Sequence, residues 1–342
     1  MAFSPEPLPT SQKDGKPSED RADPQAIDQT DSLSQPADPT IGRLSSDRPL
    51  PWIVSAAWLQ THLEDADLVI VDCRFALSHP DWGRQQYETS HIPGAVYLDL
   101  NQDLSGTIHP HGGRHPLPEP HRFAQTLTEA GIHSATSDSA ASLVVVYDDS
   151  RFAFAARLWW LLRYHGHDRV VLLDGGWTGW LAAGYPVTPK LSSLQSQNSR
   201  QIRGQFIPQM RSDWVVDRDW IQAHLSAADL VLIDSREPER YRGEYEPIDP
   251  VAGHIPGAVN YPWQTVTNGE GYILSIEQQQ QRWAELPAGE RVVYCGSGVT
   301  ACVNLLSLAV SELDPGDPEA TDSHPLSAKL YPGSWSDWCS YQ

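Results

Sequence analysis

Four cysteines in 342 residues, at positions 73, 295, 302 and 339, are too few and too irregularly spaced for a disulfide framework or a metal-ligand pattern. Such usage suits a reducing compartment. Positive charge is also scarce. The 24 Lys and Arg set against 44 Asp and Glu leave a formal charge of -20, which argues against nucleic acid or an anionic membrane surface as a partner. A small anionic ligand is not excluded, because its binding depends on the local field. No apolar run approaches the length of a membrane span, and the first residues lack the apolar core of a signal peptide. A transit peptide would be rich in Arg and poor in acid, whereas Glu6, Asp14, Glu19 and Asp20 stand here. A cytoplasmic location is the expectation.

Large apolar side chains are sparse before residue 51, where Pro, Ser and Asp dominate. Such a segment buries too little surface to offset its ordering entropy, so residues 1–50 read as a disordered tail. From Trp52 the chain becomes globular and repeats itself. Trp58-Leu-Gln-Thr-His-Leu-Glu-Asp-Ala-Asp-Leu-Val-Ile-Val-Asp-Cys-Arg74 returns as Trp220-Ile-Gln-Ala-His-Leu-Ser-Ala-Ala-Asp-Leu-Val-Leu-Ile-Asp-Ser-Arg236, and His91-Ile-Pro-Gly-Ala-Val96 as His254-Ile-Pro-Gly-Ala-Val259. A period this long signals duplicated domains. The expected division is a first domain over 51–188, a Ser- and Gln-rich linker over 189–210 and a second domain over 211–342. Each copy reads as α/β: short apolar runs (Leu68 to Asp72, Leu143 to Tyr147, Val170 to Leu173; then Leu230 to Asp234, Arg291 to Tyr294, Ala328 to Tyr331) have the character of parallel strands covered on both faces. A helix is expected over Ala153 to Tyr164, and the Trp pairs 177/180 and 335/338 suit packing of a helix after each last strand.

The chemistry concentrates in Arg291-Val-Val-Tyr-Cys-Gly-Ser-Gly-Val-Thr-Ala-Cys302. Its first residues form a strand. From Val299, apolar residues at 303, 306, 310 and 313 mark one face of a helix. Cys295 therefore stands where a strand ends and the unpaired amides of a helix begin. Gly296 and Gly298 allow the backbone to curl around the sulfur. Inward amides and the helix dipole favour a thiolate or an anionic sulfur adduct. The first copy places Asp148 opposite Cys295 and continues Asp149-Ser-Arg151 with no glycine, so the chemistry is expected in the second domain alone.

The tandem arrangement, the Asp-x-Arg and His-Ile-Pro-Gly-Ala blocks and Cys295-Gly-Ser-Gly-Val-Thr300 resemble the two-domain rhodanese sulfurtransferases. The resemblance spans roughly Trp52 to Trp338. It implies two rhodanese-like domains, each a parallel five-stranded sheet flanked by helices, the first inactive. It implies further that Cys295 accepts a sulfane sulfur as a persulfide and passes it on, with Gly296, Gly298, Val299 and Thr300 cradling the donor. A Cys-Gly-Ser-Gly-Val-Thr loop resembles members specialised for 3-mercaptopyruvate; those specialised for thiosulfate resemble Cys-Arg-Lys-Gly-Val-Thr. In the former, Ser297 would handle the substrate thiol, with an interdomain Asp matched here to Asp72. Asp72 reads equally as a strand-end residue fixing Arg74. Such members also clamp the substrate with two arginines. Arg240 matches the first, but the second falls in Glu246-Pro-Ile248, where no cation stands. Arg242 or a first-domain Arg is left to substitute, or thiosulfate is the better donor.

The family chemistry implies no cofactor. The implied partners are a small anionic sulfur donor and a thiol or cyanide acceptor, thioredoxin among the candidates, with no role for nucleic acid or membrane. His109, His111, His115 and His121 crowd a Pro-rich loop, but without the spacing of a metal site. Cys302 suits packing better than a resolving role. A cysteine phosphatase would need an Arg near position 301, where Ala stands. The alternative from another class is a non-catalytic sulfur carrier or regulatory rhodanese-like binding module.

Overall fold

The computed structural model describes residues 52–137, 139–189, 204–313 and 326–342. The tail expected at 1–50 and much of the expected linker lie outside these residues. In the first half the elements follow as β1 (Ile53–Val54), α1 (Ala56–His62), β2 (Leu68–Asp72), α2 (Trp82–Thr89), β3 (Val96–Tyr97), α3 (Pro120–Glu129), β4 (Leu143–Tyr147), α4 (Ala155–Tyr164), β5 (Val170–Leu173) and α5 (Gly176–Ala182). The second half repeats the order as α6 (Arg218–His224), β6 (Leu230–Asp234), α7 (Pro238–Arg242), β7 (Val259–Asn260), α8 (Ile276–Trp283), β8 (Glu290–Tyr294), α9 (Ala301–Ser311), β9 (Ala328–Leu330) and α10 (Ser334–Cys339).

Both sheets are parallel, as expected of short, continuously apolar strands joined through helices. The first has the order β1-β5-β4-β2-β3 and the second β7-β6-β8-β9. The fifth position of the second sheet is held by a single parallel bridge, Val215 to Leu330, where β1 pairs with β5 in the first. The segment before it is not all free connection. Phe206, inside the range read as linker, is buried in the core and its N–H donates to Thr128 Oγ1 at 3.0 Å.

The core explains why the two copies form one body. Every residue of α4 is buried, and α9 is buried from Ala301 to Val310. A helix apolar on all sides must be covered on all sides. These two helices pack on each other inside one continuous cluster that draws from both sheets, while a smaller cluster covers the far face of each sheet. Each buried Leu on this seam, such as Leu158 or Leu306, contributes roughly 1.5–3 kcal/mol. The single apolar face expected for α9 is thus only part of its buried surface, because α8 and α4 both pack against it as well.

The repeated motifs build the same buried network in each half. Arg74 grips Asp72 at 2.6 Å, Tyr147 donates its hydroxyl to Asp72 at 2.7 Å, and the Ile92 N–H of the His-Ile-Pro-Gly block donates to that hydroxyl. In the second half Arg236 grips Asp234 at 2.6 Å and the Ile255 N–H donates to the Tyr294 hydroxyl at 3.1 Å. Trp177 and Trp335 each take the matching guanidinium on their ring face, at 4.3 and 4.8 Å.

Candidate active site

Cys295 follows the last residue of β8, and α9 begins at Ala301. The loop between is held by its carbonyls. Cys295 C=O accepts from the Trp335 N–H at 3.0 Å, Gly296 C=O from the Ser336 N–H at 2.9 Å, and Gly298 C=O from Arg157 Nη1 at 3.0 Å. Across a trans peptide the C=O and the next N–H point in opposite directions. Anchoring these carbonyls outward therefore turns the amides of Gly296, Ser297 and Val299 inward. Among the described residues, the amides of Gly296 to Thr300 donate to no protein acceptor. This is an anion nest, closed by the positive end of α9. Gly298 has φ 77°, and a Cβ there would lie 2.3 Å from the Pro332 carbonyl oxygen, so the turn requires glycine. Cys295 itself is 1% exposed.

Two guanidinium groups converge over Gly296. A Cβ at that position would lie 3.1 Å from Arg114 Nη2 and 3.4 Å from Arg240 Nη2. Arg240, on α7, is the arginine expected from the sequence. Arg114 comes from the loop between β3 and α3 of the first half, which reaches across onto α10. There the Gly112 N–H donates to Asp337 at 2.7 Å, the Arg114 N–H to Ser336 Oγ at 3.2 Å, and His111 stacks on Tyr341. Both guanidinium groups bind Asp249, whose carboxylate is buried between them, and Arg240 also grips Glu246 at 2.8 Å. Burial raises the Asp249 pKa, and the Arg114 and Arg240 charges oppose that shift.

The same loop delivers His115. Its Nδ1 shares a 2.7 Å hydrogen bond with Ser297 Oγ, and both residues are buried. Burial, then the charges of Arg157 and Arg114, lower the His115 pKa to about 3, so the imidazole is neutral at ordinary pH. The site thus combines a thiol in an anion nest, a hydroxyl bonded to a neutral imidazole, and two arginines whose donor edges meet above the loop.

The rhodanese-like domain model matches this chain twice, over residues 55–183 and 217–341. The chain belongs to the rhodanese family. It is 42% identical over 292 residues to a protein of Pseudomonas aeruginosa named a probable 3-mercaptopyruvate sulfurtransferase, covering 84% of this chain and 94% of the relative. It is 31% identical over 295 residues to the 3-mercaptopyruvate sulfurtransferase of Escherichia coli, again across 84% and 94%. The crystal structure of SseA from Escherichia coli superposes with a TM-score of 0.68 at 30% identity, covering 84% of this chain and all of that one.

Against the expectations for such a rhodanese, Cys295, Ser297, Arg240 and Gly296 come together, with Gly298 shaping the turn. Val299 packs into the core, and Thr300 precedes the first residue of α9. Asp72 is not the group bonded to Ser297. It has no exposed surface, and its carboxylate is committed to Arg74 and Tyr147, in the same arrangement as Asp234 in the second domain. The residue at Ser297 is His115, which the sequence offered only as one of four crowded histidines. Arg242 is no substitute clamp, since its exposed side chain pairs with Glu244. Ile248 is 48% exposed. Burial pushes the Cys302 thiol up to about 12, and Cys302 Sγ donates to Gly298 C=O at 3.5 Å, as suits packing.

The first rhodanese domain keeps the nest and fills it. Tyr147 pairs with Asp72 as Tyr294 pairs with Asp234, which puts Asp148 in register with Cys295. Asp148 Oδ1 accepts from the amides of Ser150 and Phe152 at 2.9 and 3.1 Å, and Oδ2 from those of Phe154 and Ala155, both at 2.9 Å. Arg151, with φ 59°, stands where Gly298 does in the other copy.

Proposed function

We propose that this sulfurtransferase draws its sulfur from 3-mercaptopyruvate and passes it, through a persulfide on Cys295, to a thiol acceptor. The observation that carries the choice of donor is the pair Arg114 and Arg240 over Gly296, each already facing a carboxylate. Such a pair offers directed N–H donors with little net charge. A monoanionic 2-oxo acid needs those donors for its carboxylate and ketone. A thiosulfate dianion would need uncompensated positive charge from this arginine pair, which Asp249 and Glu246 neutralise.

With the carboxylate held by the arginines, the thiol sulfur of the donor meets Cys295. The thiolate attacks that sulfur, forming an S–S bond as the C–S bond breaks, and the bonding pair leaves on the methylene carbon as the enolate of pyruvate. The donor's thiol proton passes to Ser297 as the Ser297 proton moves to His115, and the enolate recovers it at carbon to give pyruvate. Cys295 keeps the outer sulfur as a persulfide anion in the nest. An acceptor thiolate then attacks that outer sulfur, the bond to Cys295 breaks, and the thiolate is restored.

Turnover measured side by side with both donors tests the reading, together with mass spectrometry of the Cys295 peptide after each donor. The expected result is a higher kcat/KM for mercaptopyruvate and one added sulfur atom on Cys295. A much higher kcat/KM for thiosulfate would overturn the choice of donor, and no added sulfur with either donor would favour the binding module.

A further inference from the structure

Arg157 projects from α4 into the layer between the sheets and has no exposed surface. Its Nη1 donates to Gly298 C=O at 3.0 Å, its Nη2 to the carbonyls of His115 and Pro116 at 3.2 and 3.5 Å, and its Nε has no hydrogen-bond partner. The other fully buried arginines each face a carboxylate: Arg74 has Asp72, Arg236 has Asp234 and Arg163 has Asp168. No carboxylate of the described residues acts on Arg157. Burial, the largest effect, lowers its pKa, and against it act the Cys302 thiol, by its charge and a hydrogen bond, and then the charge of Cys295.

A guanidinium stays protonated at any working pH, and a buried cation without a counter-ion is unfavourable unless the active state supplies one. Cys302 does not supply it, since its thiol is held up at about 12 by burial. The sulfur of Cys295 is the remaining partner. The hydrogen bond to Gly298 C=O adds a geometric effect, because it turns the next amide, Val299 N–H, into the loop. We propose that Arg157 is a positioning residue of the sulfur site, which aims the Val299 N–H at the Cys295 sulfur and balances the charge of the anion formed there. The proposal rests on Cys295 being the nucleophile and is independent of which donor loads it. It also gives the inert domain a third contribution to the site, beside Arg114 and His115.

The test is the pH profile of Cys295 alkylation by iodoacetamide, read on its own peptide by mass spectrometry, in the parent chain and in Arg157→Met and Arg157→Lys. The other charged and titratable groups around the loop are Arg114 and Arg240, their counter-ions Asp249 and Glu246, Asp337 of α10, Cys302 and His115. The substitutions remove none of them, but losing the Arg157 charge raises the His115 and Cys302 pKa values, so the midpoint read on the Cys295 peptide, and not kcat alone, carries the test. Removing the charge should move the alkylation midpoint up by about one pH unit or more. It should also lower kcat about tenfold, with KM for mercaptopyruvate changed less than about twofold, because Arg157 touches no substrate. Arg157→Lys keeps the charge and should hold its midpoint close to that of the parent. A folded Arg157→Met chain with the parent's midpoint and kcat would reduce Arg157 to packing. Should the Met chain not fold, Arg157→Gln, which can still donate to Gly298 C=O without charge, gives the same reading by the same shift. A parent chain in which Cys295 does not alkylate removes the nucleophile itself, and this proposal with it.

Discussion

Asp148 and Cys295 occupy the same place in the two domains, each one residue beyond the tyrosine that ends a central strand. Asp148 fills its nest with its own carboxylate, whereas around Cys295 the inward amides of Gly296, Ser297 and Val299 donate to no acceptor among the described residues. The fold needs something at this point, because inward amides are costly when left without an acceptor. The first domain resolves that permanently, and in the proposed mechanism the second resolves it with the sulfur anion formed on Cys295.

Removing the internal anion should therefore destabilise the first domain. Asp148→Ala leaves the amides of Ser150, Phe152, Phe154 and Ala155 without an acceptor, at a cost on the order of 3 kcal/mol. Urea unfolding measures it, and a loss below about 0.5 kcal/mol would mean that water replaces the carboxylate freely.

Cys295→Ser should abolish sulfur transfer with the fold unchanged. A hydroxyl fits the nest but is a far poorer nucleophile toward sulfur. Circular dichroism checks the fold and a mercaptopyruvate assay the activity. Turnover near that of the parent would remove this cysteine from the mechanism.

What the sequence disclosed and what it concealed divide along a physical line. The strands, the duplicated halves and the Cys295 loop depend on neighbouring residues, so periodicity and spacing expose them. Arg114, His115 and Arg157 reach the loop from the other domain, and no local pattern records a contact across more than 130 residues. A faint signal was present in Gly112-Gly113-Arg-His-Pro116. Gly113 has φ 83°, and a Cβ there would lie 2.4 Å from the Gly333 carbonyl oxygen, so the paired glycines mark where this loop presses on α10. For Asp72 two readings stood equal, and the structure shows the strand-end residue that fixes Arg74. A residue repeated as Asp234 inside the same Asp-x-Arg block belongs to the scaffold that both copies share.

His115 offers a test through pH. Its folded pKa lies near 3, below the ordinary 6.5. Between those values the unfolded chain binds the proton and the folded chain does not, so stability falls as the pH falls. The slope is at most about 1.4 kcal/mol per pH unit. In His115→Gln that contribution vanishes, so the drop in unfolding free energy from about pH 6.5 to about pH 4 should shrink by on the order of 2 kcal/mol. Other depressed histidines are common to both chains and cancel. Equal drops would show that the imidazole protonates within the fold. In kinetics, Ser297→Ala and His115→Gln should each lower kcat for mercaptopyruvate more than for thiosulfate, which has no thiol proton to move.

The missing second clamp leads to the last prediction. The sequence places the gap at Ile248, but Ile248 is largely exposed and its N–H donates to Glu246 at 3.1 Å, while Arg114 reaches Gly296 from the first domain. If Arg114 holds the substrate, Arg114→Met removes a charge-assisted hydrogen bond of roughly 1.5–3 kcal/mol. That corresponds to a rise in KM for mercaptopyruvate of about tenfold or more, with kcat less affected. Ile248→Arg in the parent chain should then shift KM by less than about twofold, since the clamp is already complete. Combining the two substitutions asks whether a cation at 248 recovers part of the loss, and the coupling between them measures how far the positions share one carboxylate. A several-fold fall in KM from Ile248→Arg alone, with Arg114→Met silent, would place the substrate carboxylate wholly in the second domain. Arg114 would then serve only to pin its loop to Asp249.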